Sequence, residues 1–126
     1  MAQRIFSGIA SEAIAGYAKA VIDGTTIYVS GTTGRDKSTG TFPSDAAQQA
    51  RNALADIDDV LKKAGASLAH AVASRVYVTD LEYADAVMAV LGEVFKDIRP
   101  TSTFLICQIP AQGAKVEIEI TASSAP

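Results

Sequence analysis

The sequence predicts an α+β protein: a single domain over residues 1–126, with one mostly antiparallel sheet and two helices packed on one face of it. Three observations predict this. A glycine-containing hairpin signal stands near the N-terminus. Two long stretches repeat their apolar residues every three or four positions. The segments around the second of these alternate with period two.

Residues 17–31, YAKAVIDGTTIYVSG, hold two β-rich runs around Asp23-Gly24, whose residue types tolerate positive φ, so a hairpin is expected there. The stretch 31–43, GTTGRDKSTGTFP, has three glycines and a proline and reads as a loop. Ser44 is the expected N-cap of a helix over 45–64, with Ala47, Ala50, Leu54, Ile57, Leu61 and Ala64 on one face. Lys62 and Lys63 suit its negative end, and Gly65 suits the left-handed position after it. Residues 72–79, VASRVYVT, alternate and read as a strand. Asp80 is the expected cap of a second helix over 81–98, with Tyr83, Val87, Val90, Leu91, Val94 and Phe95 on one face, and Pro100 ends it. Strands at about 101–109 and 115–122, joined by a turn near Gln112-Gly113, complete the sheet.

Composition narrows the function classes. The chain is 48% hydrophobic and 20% charged, an ordinary globular balance. A net charge of −3 without any run of Lys or Arg argues against nucleic acid as the main partner. One cysteine excludes an intrachain disulfide and fits a reducing compartment. No segment approaches the roughly 20 apolar residues that cross a bilayer, so a cytoplasmic protein with no membrane partner is expected. His70 stands alone, so no metal is expected; one His without a nucleophile elbow makes no triad, and GTTGRDKSTG lacks the Lys-Ser/Thr ending of a phosphate loop.

Alternation divides the sheet. Val76, Val78, Val116, Ile118 and Ile120 belong under the helices; Arg75, Tyr77, Thr79, Glu117, Glu119, Tyr28 and Ser30 belong on the opposite face. That face is either solvated or covered. The 101–109 strand favours cover, because Leu105, Cys107 and Ile109 make one side of it apolar while Phe104 and Ile106 make the other so. Identical subunits closing over the face would put Arg75, the glutamates and the tyrosines into clefts between chains.

The chain resembles the Rid family, also called YjgF-like or RidA-like, over about residues 16–122. The matching residues are Gly16-Tyr17, Val29-Ser30-Gly31, Gln49-Ala50, Ala64-Gly65-Ala66-Ser67-Leu68, Val78-Thr79-Asp80, the Phe95 to Pro100 segment and Val116-Glu117-Ile118-Glu119. No one motif is diagnostic, but the ordered set is fairly specific. The resemblance implies a chorismate-mutase-like fold and a homotrimer with three inter-subunit clefts. It also implies hydrolysis of imines and enamines such as 2-aminoacrylate, with release of ammonia and no cofactor.

The resemblance also assigns roles. Glu117 matches the glutamate that positions water and is the candidate catalytic residue; Tyr17 and Ser30 match cleft-lining positions. Archetypal members carry Ala-Arg-Ser after the proline of the penultimate strand, and the arginine binds the substrate carboxylate. Here Pro100-Thr101-Ser102-Thr103 puts Thr101 at the arginine and Thr103 where a cysteine is common. Cys107 is then expected in the core, and Arg99 as a cation at a helix C-terminus. Val87 and Met88 stand where some members carry an asparagine. Arg75 is the candidate replacement, presenting a planar donor fork to a carboxylate; a structural pair with Glu117 or Glu119 is the alternative and the expectation. The substrate-binding candidates are therefore Arg75, Tyr17, Ser30, Thr101 and Thr103. An imine or enamine hydrolase acting on a small carboxylate leads. A non-catalytic ligand-binding or regulatory trimer is the rival, and endoribonuclease activity, a label carried by some relatives, is disfavoured by the acidic balance.

Overall fold

A computed structural model of the chain describes residues 2–124. Its elements in order are β1 (Gln3–Ile5), α1 (Ala10–Ala15), β2 (Ala20–Asp23), β3 (Thr26–Thr33), α2 (Ala46–Lys63), β4 (Ala71–Val78), α3 (Ala84–Phe95), β5 (Thr101–Ile106) and β6 (Val116–Ser123). The six strands form one sheet in the order β1-β2-β3-β6-β4-β5. Every pairing is antiparallel except β4 with β5, the two strands that α3 connects. This is the mixed α/β architecture expected, with the chorismate-mutase-like arrangement of one sheet layer and one helix layer.

The core lies between the layers. Val76, Val78, Val116, Ile118 and Ile120 are buried there, as alternation predicts, against Ala50, Leu54, Ile57 and Leu61 of α2 and Val87 and Val90 of α3. Both helices reach these positions through a three-to-four-residue repeat, and their polar faces remain in solvent.

Several element ends differ from the sequence reading, each for a local reason. Asp45, not Ser44, caps α2: the helix begins at Ala46, and the Asp45 carboxylate accepts from the Ala47 N–H at 3.2 Å. Asp80 caps a short 3-10 turn, Leu81–Tyr83, by accepting from the Glu82 N–H at 2.9 Å; α3 starts only after it. At the far end the Ile98 and Arg99 amides both turn back to the Phe95 carbonyl, and Arg99 takes a left-handed φ of 59° before Pro100. β1 and α1, of 3 and 6 residues, are too short to show a period and were not anticipated.

The largest difference concerns the 101–109 strand. It ends at Ile106, so Cys107 lies beyond it and is exposed rather than in the core. The strand is a sheet edge, hydrogen-bonded only to β4, and its Leu105 and Ile106 side chains are 50% and 53% exposed. A two-sided apolar strand needs cover on both sides, and the single chain supplies only part of it.

Candidate functional site

The face of the sheet away from the helices is a grid set by strand register. Thr103 of β5 neighbours Arg75 of β4, which neighbours Glu119 of β6. One row along, Leu105, Tyr77, Glu117 and Thr33 follow one another across four strands. The row on the other side is Thr101, Ala73, Thr121 and Tyr28. Four of the sequence candidates, Arg75, Thr101, Thr103 and Glu117, thus share one surface, although they come from three strands.

Glu117 has the most unusual setting. It is half-buried, and burial first, then the charge of Glu119 two residues on, hold its carboxyl above the ordinary carboxylate range, with Lys19 opposing. Space for it comes from β3. Between Val29 and Thr32 the β3–β6 register slips, as in a β-bulge, and Gly31 sits in the slip. A methyl group at Gly31 would come within 3.0 Å of the Glu117 carboxyl carbon. Glycine therefore lets the carboxyl lie against the β3 backbone.

Glu119 is held differently. Tyr77 donates its hydroxyl proton to Glu119 Oε1 at 2.7 Å, a diagonal contact across β4 and β6. That bond, followed by burial, raises the Tyr77 phenol. The expected ion pair of Arg75 with a glutamate does not form: among the described residues Arg75 makes no salt bridge and is exposed, while Tyr77 bonds Glu119. An exposed guanidinium beside Thr103 can accept an anion without breaking a structural pair.

The remaining candidates are partly committed to main chain. The Thr101 hydroxyl donates to the Val72 carbonyl at 3.2 Å, and the Ser30 hydroxyl to the Ala18 carbonyl at 2.6 Å. Thr103 is exposed. Tyr17 lies off the sheet, after α1, with its hydroxyl 2.6 Å from that of Ser11. Its segment runs beside the bulge, where the Ser30 N–H donates to the Lys19 carbonyl at 2.9 Å.

Sequence reading missed Lys19. Its ammonium is buried, donating to Thr32 Oγ1 at 2.7 Å and to Asp56 Oδ2 at 3.1 Å. A lysine between two alanines gives no local sign of burial; its partner lies 37 residues away on α2. Burial by itself would raise the Asp56 carboxyl, but the ammoniums of Lys37 and Lys19 bring it below its ordinary value. Among the described residues no group of three His, Cys, Asp or Glu side chains is placed to hold a metal ion, and no helix is long and apolar enough to cross a membrane.

Comparison with known proteins bears on this surface. The family model described as endoribonuclease L-PSP matches residues 8–124. A goat protein named 2-iminobutanoate/2-iminopropanoate deaminase is 33% identical over 119 residues, covering 93% of this chain and 86% of its own. The human protein of the same name is 32% identical over 116 residues, covering 90% and 84%. A solved structure from Mycobacterium tuberculosis, described as a member of the YjgF/YER057c/UK114 family, superposes with a TM-score of 0.87 at 36% identity, covering 98% of this chain and 99% of that one. A fold with Glu117 set against a bulged β3, and matches that span nearly the whole chain, lead to one conclusion: this chain belongs to the Rid (YjgF-like) family.

Proposed function

We propose that this chain is an imine or enamine hydrolase of the deaminase type, working on small 2-imino acids in clefts between three identical subunits. The observation that carries the reading is Glu117: a half-buried carboxyl with raised proton affinity, on a sheet face that also bears an exposed arginine. The names of the goat and human relatives point to the same chemistry.

The reaction asks little of the protein, because a protonated imine is already electrophilic. Glu117 takes a proton from water as the water oxygen bonds to the C=N carbon. Glu117 then returns that proton to the carbinolamine nitrogen. The C–N bond breaks as the oxygen forms the C=O bond and gives its own proton to the carboxylate, and a 2-keto acid and ammonia leave. A carboxyl of raised affinity is better matched to holding that proton near neutral pH. Arg75 holds the substrate carboxylate in place of the family arginine, whose position is Thr101, and Thr103 contributes a hydroxyl beside it. β5 is an edge strand, so its outward N–H donors are available to developing charge. Leu105 and Tyr28, half-exposed on this face, favour a second copy as cover and thus the trimer.

Ammonia release from enzymatically generated 2-aminoacrylate tests the proposal. Release that disappears in Glu117→Ala supports it. Binding of 2-oxobutanoate without any turnover by the wild type would favour the rival, a trimer that keeps the ligand site without the chemistry; the Thr101 hydroxyl, turned to the backbone, is what recommends that rival.

A further inference from the structure

A second candidate site lies toward the helix layer. The edge of α2, the loop after β3 and the connection from β1 to α1 enclose a cleft of about 390 Å³, within the roughly 300–1,000 Å³ typical of small-molecule sites. Arg75, Thr103 and Glu117 do not line it; Gly31 and Thr33 border both places.

Its charge is out of keeping with the chain. Lys19, Arg35, Lys37 and Lys63 all line it, four of the 11 Lys and Arg residues of a protein with net charge −3. Two carboxylates, Asp56 and Asp59, face them. At the floor, Asp56 serves two ammoniums at once: one oxygen takes Lys19 and the other takes Lys37. One carboxylate cannot neutralise both; the buried Lys19 also faces the charges of Glu12 and Glu117, which leaves Lys37 as the less compensated of the two. Asp59 and Lys63 stand four apart on α2 without an ion pair, and one Arg35 N–H donates to the Gly40 carbonyl while the guanidinium lies over Phe42. Four cations against two carboxylates make the lining positive; Glu12 and Glu117, outside the lining, act on Lys19, so the free positive charge of the cleft is that of Lys37 and Lys63.

The rim is apolar. Phe6 and Ile9 are 63% and 55% exposed, and Val60 lies beneath. Cations at the floor and an uncovered apolar rim match a ligand with one charged end and one hydrocarbon end. The two aspartates disfavour a dianion. We propose that this cleft binds a small aliphatic monocarboxylate, its head group at Lys37 and Lys63 and its tail on Phe6 and Ile9.

The test is a titration of the full-length, isotope-labelled chain with hexanoate, followed through backbone amide shifts. Hexanol supplies the tail without the charge, and inorganic phosphate the charge without the tail. Saturable shifts at residues 6–9, 35–37 and 63 are expected, with hexanoate at least tenfold tighter than either control. Lys37→Met combined with Lys63→Met should weaken hexanoate at least tenfold, and Phe6→Ala, at an exposed rim position, should do so even if the double variant folds poorly. Shifts confined to Arg75, Thr103 and Glu117 would overturn the proposal, as would equal binding of hexanol or phosphate. Loss of the shifts in Glu117→Gln would equally overturn it, since that residue belongs to the other site.

Discussion

Gln49 is the residue whose replacement has the clearest structural consequence. It is completely buried in the first turns of α2, and every hydrogen bond it makes goes to main chain elsewhere. Its amide nitrogen donates to the Pro43 carbonyl at 2.7 Å and to the Gly113 carbonyl at 3.0 Å, and its oxygen accepts from the Lys115 N–H at 2.8 Å. One side chain thus ties the loop before α2 to the turn that leads into β6 and Glu117. Gln49→Met keeps most of the volume and removes all three bonds. The half-buried Lys115 N–H loses its partner, at a cost of about 1–3 kcal/mol, while the carbonyls of half-buried Pro43 and exposed Gly113 lose about 0.5–1.5 kcal/mol between them once water replaces the amide. The expected destabilisation is about 1.5–4.5 kcal/mol. With an unfolding entropy of about 2.1 cal/mol/K per residue, this chain should lose roughly 6–17 °C in Tm. The assay is thermal and urea unfolding by circular dichroism at fixed protein concentration, because any oligomer makes Tm concentration-dependent. Gln48→Met, one residue away and exposed, is the control and should stay within about 0.5 kcal/mol. A Gln49→Met protein as stable as that control would show that the three bonds contribute nothing net.

Four further outcomes are expected. The Glu117 carboxyl has a raised folded-state pKa, so ionising it opposes folding, and stability should fall as pH rises from the ordinary glutamate range through the raised value; Glu117→Gln should remove this slope in urea unfolding measured from pH 3 to 8, and an unchanged slope would place its origin elsewhere. Calorimetric titration of 2-oxobutanoate should give clearly weaker binding to Arg75→Met than to wild type with the oligomer intact in both, whereas equal affinity would mean that Arg75 does not hold the carboxylate. With Thr101 in place of an arginine, 2-aminoacrylate should turn over more slowly than in an arginine-bearing relative assayed beside it; loss of a charge-assisted bond of about 1.5–3 kcal/mol corresponds to roughly ten- to hundredfold, and equal rates would refute the substitution argument. Sedimentation equilibrium should give three times the 13.1 kDa chain mass, and Leu105→Asp should shift it toward monomer; a monomeric wild type would remove the inter-subunit cleft.

How far the sequence could be read depended on the range of each interaction. Helix α2 was visible because its period and end signals lie within one stretch, and only its cap moved, from Ser44 to the neighbouring Asp45. Cys107 was misplaced because strand alternation says nothing about where a strand stops or whether it lies at an edge; the neighbours of β5 decide that. The Arg75 pair was misjudged for a related reason. Charge complementarity on one face does not specify partners, and the bond Glu119 makes comes from Tyr77, one diagonal away.

The sequence alone therefore determined the hairpin, the two long helices, the division of the strands into a buried and an open side, and the presence of Glu117 and Arg75 on the open side. These are consequences of backbone periodicity, which repeats every two or every 3.6 residues and needs no distant partner. The tertiary structure decided which side chains meet. The bulge that brings Gly31 against Glu117, the burial of Lys19 on Asp56 and the bonds from Gln49 to Gly113 and Lys115 all join segments far apart in the chain. Their geometry depends on strand register and helix placement, and those are settled only when the whole sheet closes on its core.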